Sequence, residues 1–282
     1  DPVMDRNGEE SEMASVYEIV QEKILEQISK GVIPWRRPWI SGQAVSWKTQ
    51  KPYRGINQFM LDPGEYATFN QIAEAGGKVV KGAKGSIVVF WKMDEKENDE
   101  GEMESRPLLR YYKVFNVKTQ TEGLNPKQQE ITFTHDPIES GEKIISLYTN
   151  KPSINFNPGK ACYIPSADRV SVPDKTDFPQ VEEYYSTLFH ELIHSTGHQS
   201  RLNRTGVSGK VAFGSENYGK EELIAEMGAA MLCGVARIDN TIENSASYLA
   251  GWARAIKGDV RLIVMAAAAA QKAADHIQGI KF

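Results

Sequence analysis

Two histidines and the glutamate between them carry the chemistry most legible in this chain: His190-Glu191-Leu192-Ile193-His194 reads H-E-x-x-H. On a helix, residues four apart lie one turn apart on the same face, so both imidazoles can grip one metal ion from a single rigid element. Glu191 points toward that side and can act as general base on a water that the ion activates. The motif also occurs by chance, and its bland reading is a pair of core histidines satisfied by hydrogen bonds. That reading must explain why three of the chain's five histidines, His190, His194 and His198, fall within nine residues.

A catalytic zinc takes three protein ligands and leaves one position open, so a third ligand is needed. Residues 220–235 (KEELIAEMGAAMLCGV) read as a helix with Leu223, Met227, Ala230 and Met231 on its apolar side and Glu222 and Glu226 one turn apart. Glu222 is the expected ligand, and Glu226 is expected to orient a ligand histidine. His198 is the rival ligand: Gly197 matches the metzincin glycine, but the next histidine comes two positions early, which makes His198 a pocket residue. Tyr218, in the long polar connection 201–219, is a candidate donor to a developing oxyanion.

The motif needs a helix beneath it, and residues 181–194 (VEEYYSTLFHELIH) supply the pattern. Tyr184, Leu188 and Leu192 share a face, Glu182 and Glu183 sit near the start, and Gly197 lies just past the end as a stop. Before it, residues 161–172 (ACYIPSADRVSV) read as two short strands around Pro165 to Asp168. An edge strand beside a cleft is where an extended peptide substrate is expected. Residues 138–148 read as a helix opening this half, and residues 248–276 as one long alanine-rich helix closing it.

The N-terminal half has a different character. Residues 15–30 repeat Val16, Ile19, Val20, Ile24 and Ile28 at helical spacing. The following stretch, 31–57, interleaves Trp35, Arg36, Arg37, Trp39, Trp47, Lys48, Lys51, Tyr53 and Arg54. Aromatic platforms among cations suit stacking of unpaired bases and neutralisation of their phosphates. Any one of these tryptophans reads first as a core plug and any one arginine as a solvated charge, and it is the ensemble that points to nucleic acid. From residue 23 to residue 92 eleven basic residues stand against four acidic ones, a net of +7 in a chain whose total is −4. That asymmetry favours a polyanionic partner.

Residues 67–75 read as a short helix capped by Thr68. Residues 78–80 and 86–91 read as paired strands around a turn, so that Lys78, Lys81 and Lys84 could meet phosphate. The acidic run 94–104 reads as a mobile loop, and 110–117 as a further strand.

At 282 residues with 40% hydrophobic and 25% charged residues, the composition is that of a globular protein of two domains. No run of about 18 apolar residues marks a membrane span and the first residues do not read as a signal peptide, so a cytoplasmic protein is expected. Cys162 and Cys233 are too few for a disulfide framework and read as reduced core residues. The expected organisation is α+β: a tail over 1–12 that is disordered or foreign to the native chain, with Met13 as a candidate start, then a mixed α/β domain over 13–125. A linker over 126–137 leads to a largely helical zincin-like domain with a small sheet over 138–282.

The motifs YEIVQEKILEQISKGVIPWRRPW, KPYRGIN, GGKVVKGAKGSIVVFW, LFHELIHSTGH and KEELIAEMGAAML resemble those of the ArdC anti-restriction proteins of conjugative plasmids. The likeness covers nearly all of 13–282, including the order of both halves. It implies an N-terminal domain that binds single-stranded DNA, similar to the N-terminal region of TraC-type plasmid primases, and a C-terminal metallopeptidase-like domain. It also implies protection of incoming DNA from the recipient's restriction enzymes, with a host restriction-system protein as candidate peptidase substrate and no membrane partner. The family's two histidines and downstream glutamate map onto His190, His194 and Glu222, with Zn2+ or a related ion such as Mn2+ or Co2+ as cofactor. The competing expectation is a protein that coats single-stranded DNA and whose metal site is structural or recruits a partner.

Overall fold

The computed structural model describes residues 8–36, 42–97, 103–127, 137–208, 216–239 and 246–281. The N-terminal half holds α1 (Gly8–Ser29), β1 (Ala44–Ser46), α2 (Asn57–Met60), β2 (Gly64–Thr68), α3 (Phe69–Glu74), β3 (Lys78–Val79), β4 (Ser86–Glu97), β5 (Met103–Asn116), α4 (Val117–Gln120) and β6 (Thr121–Glu122). The C-terminal half holds α5 (Pro137–Leu147), β7 (Ser153–Phe156), β8 (Cys162–Ile164), β9 (Arg169–Val172), α6 (Val181–Thr196), α7 (Thr205–Ser208), α8 (Glu216–Ala236), α9 (Ala246–Gly258) and α10 (Leu262–Gln278). This is a two-domain α+β protein. No helix among the described residues is long and apolar enough to cross a membrane.

The first sheet runs β1-β2-β5-β4, with β1 parallel to β2 and the other pairs antiparallel. Here β4 pairs with β5 along twelve residues, from Ser86 opposite Val114 to Glu97 opposite Met103. Two expectations are corrected by this ladder. The strand at Lys78 does not pair with β4 but with β6, Lys78 lying opposite Glu122, and residues 94–97 and 103–104 belong to strands rather than to a mobile loop. Local turn chemistry around Gly82 and Gly85 suggested a hairpin, but β4 pairs along its whole length with β5, and β3 takes β6 instead. Thr68 caps α3 through a reciprocal capping box with Gln71.

The second sheet runs β7-β9-β8, β8 and β9 forming the expected hairpin and β7 adding a parallel edge strand that the sequence reading missed. Beneath it α6, α8 and α10 pack together, with Ala266, Ala267, Ala270, Ala273 and Ala274 of α10 fully or almost fully buried. Small side chains let these helices approach closely.

The expected closing helix is broken: α9 ends at Gly258, and a turn in which Asp259 Oδ1 accepts from the Arg261 amide starts α10. The long connection after α6 is shortened by α7, and α8 already begins at Glu216. Of the expected tail, residues from Gly8 onward are helical, while residues 1–7 and most of the linker (128–136) lie outside the described residues. Cys233 is buried, but Cys162 is exposed and not a core residue.

One apolar cluster crosses the whole molecule. It joins Val20 and Ile24 of α1, Trp35, Phe59 and Leu109 to Leu188 of α6, Leu223 of α8 and Ala266 of α10. The two halves share a core.

Candidate metal centre

α6 and α8 cross closely because α8 presents a glycine where α6 presents a branched side chain. A Cβ on Gly228 would stand 2.7 Å from Ile193 Cδ1, so any larger residue would push the helices apart. That approach brings His190 and His194 of α6 against Glu222 of α8. Glu222 Oε2 lies 3.5 Å from His190 Nε2 and Glu222 Oε1 lies 3.5 Å from His194 Nε2. The two Nε2 atoms are 3.2 Å apart. Ligands bound at ~2.1 Å in a tetrahedron stand ~3.4 Å from one another, so this donor set has the spacing and the chemistry for a divalent ion. His190, His194 and Glu222 form the one such group among the described residues.

The electrostatics around the group are asymmetric. Burial works against the imidazolium of His190, but the bond to Glu222 and the charges of Glu191, Glu222 and Glu226 outweigh it and hold its pKa above the usual value. Behind His194, Nδ1 donates to Glu221 Oε1 at 3.3 Å, which leaves Nε2 directed at Glu222. Glu221 is buried, at 4% exposure. Burial alone would raise its pKa, yet the bonds from Arg204 and His194 lower it. Arg204 grips that carboxylate with both Nε and Nη2, at 2.9 and 2.6 Å. It also donates to Thr196 Oγ1 and to the Ile193 carbonyl, which ties the end of α6 to α8.

Glu221 and Arg204 are the residues that sequence reasoning missed. The role expected of Glu226 falls to Glu221 instead. Glu226 points away from the donor group, accepting from Trp35 Nε1 at 3.0 Å and Arg36 Nη2 at 3.4 Å of the N-terminal half and from the Tyr248 hydroxyl of α9. His198 lies away from the donor group, its Nδ1 taken by Ser200 Oγ at 2.7 Å. Tyr218 lies in the first turns of α8, and its side chain lies outside the described residues.

Two cavities meet at Glu191. A cleft of about 450 Å³ is lined by Cys162 and Tyr163 of β8 together with His190, Glu191, His194 and Glu222. A smaller pocket of about 160 Å³ lies on the other side, lined by Arg36, Ser186, Thr187, His190, Glu191 and Glu226. Arg36 reaches it from the N-terminal half with its guanidinium stacked 3.9 Å from the Tyr248 ring centre. The arrangement can hold an ion at the floor of a groove with a carboxylate beside it.

The expected nucleic-acid residues are dispersed. Trp35 is fully buried between Phe59 and Trp252, so it is a core residue and not a stacking platform. Trp47 is half-buried, covered by Lys127 at 4.1 Å and bonded to the Asn125 carbonyl. Arg54 is paired with Asp275 of α10, and Arg36 faces Glu226. Lys48, Lys51, Lys78, Lys81 and Lys84 are exposed, and Tyr53 is half-buried. Arg37 and Trp39 lie outside the described residues.

Comparison with known proteins gives two family matches. Residues 14–115 match the N-terminal domain of anti-restriction factor ArdC, and residues 142–269 match a zincin-like metallopeptidase domain. The crystal structure of the antirestriction ArdC protein from the R388 plasmid, in its metal-free form, superposes with a TM-score of 0.76 at 34% identity. That match covers 94% of this chain and 99% of the other, and the Mn(II)-bound form of the same protein matches with a TM-score of 0.75. A DNA primase TraC of Escherichia coli is 33% identical over 93% of this chain, which spans only 20% of that primase. An uncharacterised protein of Sinorhizobium fredii is 32% identical over 92% of this chain and 90% of its own length.

Proposed function

The chain belongs to the ArdC anti-restriction family, and on that premise we propose that it shields incoming plasmid DNA in the recipient cytoplasm through two linked activities. The N-terminal half binds single-stranded DNA. The C-terminal half carries a metal-dependent peptidase site directed at a protein of the host restriction system.

The observation that carries the peptidase reading is the convergence of His190, His194 and Glu222 at the floor of an open cleft, with Glu191 beside them. Three protein donors leave a position open, whereas a closed structural site takes four. A divalent ion bound there, Zn2+ or a relative such as Mn2+ or Co2+, supplies a Lewis acid that polarises a carbonyl and brings the pKa of water to about 7. His190 and His194 present Nε2 to it, Glu222 neutralises part of its charge, and Glu221 holds the His194 ring in place through Nδ1. The Glu191 carboxylate takes the proton of the attacking water and returns it to the leaving nitrogen. An extended peptide fits beside β8, which has β9 on one side and lines the cleft on the other.

The DNA-binding reading is supported by the basic stretch 23–92 and by similarity to proteins named for DNA priming and anti-restriction. Priming itself is not carried over, since this chain spans a fifth of that primase.

The test pairs metal content with function. Wild type is expected to hold one divalent ion per chain, His194→Ala none, and Glu191→Gln one ion but no proteolysis; cleavage retained by Glu191→Gln would remove Glu191 as the base. Anti-restriction activity that survives in His194→Ala would move protection to the DNA-coating half and leave the metal site structural or partner-recruiting.

A further inference from the structure

With Trp35 sealed in the core and Trp47 covered, a stacking surface among the described residues of the N-terminal half lies elsewhere. The register of β4 and β5 points to it. Phe90 stands opposite Arg110, Val88 opposite Tyr112 and Lys92 opposite Leu108. Residues directly across an antiparallel pair share a face, as do alternate residues along a strand. One face of the sheet therefore carries Phe90, Lys92, Arg110 and Tyr112. The opposite face is covered by the core only in part: Val89 and Leu109 join the main apolar cluster and the Trp91 ring lies 6.5 Å from Tyr17 of α1, while Trp91, Tyr111 and Met93 stay exposed without a row of linked rings across the sheet among the described residues.

The first face is anchored at one end and carries exposed rings beyond that anchor, with Leu108 buried opposite Lys92 at its far side. Tyr66, Val88 and Val114 form a small separate core at the anchored end, with Tyr53 packed against it. The Tyr53 and Tyr66 rings meet edge to face at 6.3 Å, Tyr53 and Tyr112 are hydrogen-bonded, and the Phe90 and Tyr112 rings lie 5.7 Å apart. This makes an aromatic row across the sheet whose last two members, Phe90 at 43% and Tyr112 at 37%, are exposed. Cations flank it: Lys92 is exposed, Arg110 is half-buried opposite Phe90, and Lys51 is exposed two residues before Tyr53 on the segment that bridges to β1. Acidic residues Asp94, Glu95 and Glu104 lie farther out on the same hairpin, so the basic stretch ends there.

Exposed rings held in place by a neighbouring core, bordered by cations, match the chemistry of unpaired bases on a phosphate backbone. We propose that single-stranded DNA lies across this outer face, its bases stacked on Phe90 and Tyr112 and its phosphates met by Lys92, Arg110 and Lys51. The proposal rests on the DNA-binding reading above and gives it a location. Duplex DNA, with its bases already stacked, has no equivalent fit, and the acidic hairpin tip turns the strand toward the Tyr53 edge.

Fluorescence anisotropy of a labelled thymidine oligonucleotide tests it on the full-length protein. Phe90→Ala and Tyr112→Leu are each expected to weaken binding about tenfold, within the range of one lost base stack. Lys92→Ala should reduce the slope of log affinity against log salt by about 0.7. Phe156→Ala removes an aromatic residue that is 56% exposed in the other half and should change nothing. Wild type that does not bind single strands overturns the DNA-binding reading and this face with it. Wild-type binding that Phe90→Ala leaves intact overturns the face alone, as does an equal loss of affinity for a blunt duplex. If Tyr112→Leu lowers the melting temperature, Phe90→Ala and Lys92→Ala decide the matter.

Discussion

Glu221 and Glu222 are neighbours in sequence and face opposite sides of one histidine. Glu222 meets Nε2 of His190 and His194, while Glu221, a helical step earlier, reaches Nδ1 of His194 with Arg204 clamped to its back. A carboxylate in that position fixes the tautomer and raises the basicity of the ligand nitrogen, and losing such a partner typically costs roughly 10- to 100-fold in metal affinity. Glu221→Gln is therefore expected to weaken metal binding by about that factor in a chelator-competition titration. Glu226→Gln should weaken it much less, because its oxygens are engaged by Trp35, Arg36 and Tyr248 and it reaches the ligand His190 only through its charge. The reverse pattern would return the orienting role to Glu226. Spacing alone made His190, Glu191, His194 and Glu222 candidates, since all four follow from the period of a helix. Glu221 was invisible because its role depends on how α6 and α8 cross, which Gly228 sets, and on an arginine arriving from the intervening loop.

The elements differ in how much of their pairing is local. α6 was readable from its apolar face and its glycine stop, and α3 from its cap, because each is decided within a few residues. β3 was misread because its partner, β6, lies some forty residues on, and nothing near Lys78 announces it. The hairpin of β8 and β9 shows a third case, a local turn locked by a distant residue. Asp168 takes a left-handed φ of 43° at the turn, and its carboxylate accepts from both Nη atoms of Arg201 at 2.8 Å and from the Tyr163 hydroxyl at 2.8 Å. Arg201 also donates to the Ser195 carbonyl, so the turn is fastened to the end of α6. Burial raises the Asp168 pKa, but the Arg201 and Tyr163 bonds outweigh it and the net shift is downward. A carboxyl whose folded pKa lies below its unfolded value of about 3.9 stabilises fully above that pH and loses the contribution as pH falls through the folded value. Asp168→Asn is expected to cost about 1–2 kcal/mol at pH 7, discounted because the side chain is 35% exposed. In urea unfolding the gap from wild type should close as pH falls below about 4; a gap that persists unchanged at low pH would assign the loss to packing instead of charge.

At the scale of the whole molecule, the order of a half with a basic stretch and a metal-site half was legible, but their fusion was not. Trp35 looked like a nucleic-acid contact because a tryptophan among arginines carries the same composition whether it faces solvent or a second domain. It is the largest fully buried side chain of the shared core, and its Nε1 donates to Glu226 on the helix that carries Glu222. The KPYRGIN stretch docks on α10 in the same way: Arg54 pairs with Asp275, and Gln271 Oε1 accepts from the Gly55 amide and the Gln58 side chain. Farther along, Gln21 of α1 donates to the Ile256 carbonyl of α9 at 2.6 Å. Halves joined through a continuous core and part-buried polar contacts should unfold together. Differential scanning calorimetry of the wild type is expected to give one transition whose van't Hoff and calorimetric enthalpies agree. Trp35→Ala should lower stability by about 3–5 kcal/mol, through the cavity it leaves and the Glu226 acceptor it strips of a donor. It should also loosen the Arg36 wall of the pocket beside His190, so metal affinity should fall in a variant that touches no ligand. Two separable transitions, or a fragment 137–282 that folds and binds metal like the intact chain, would show instead that the N-terminal half is a passenger on an independent metal domain.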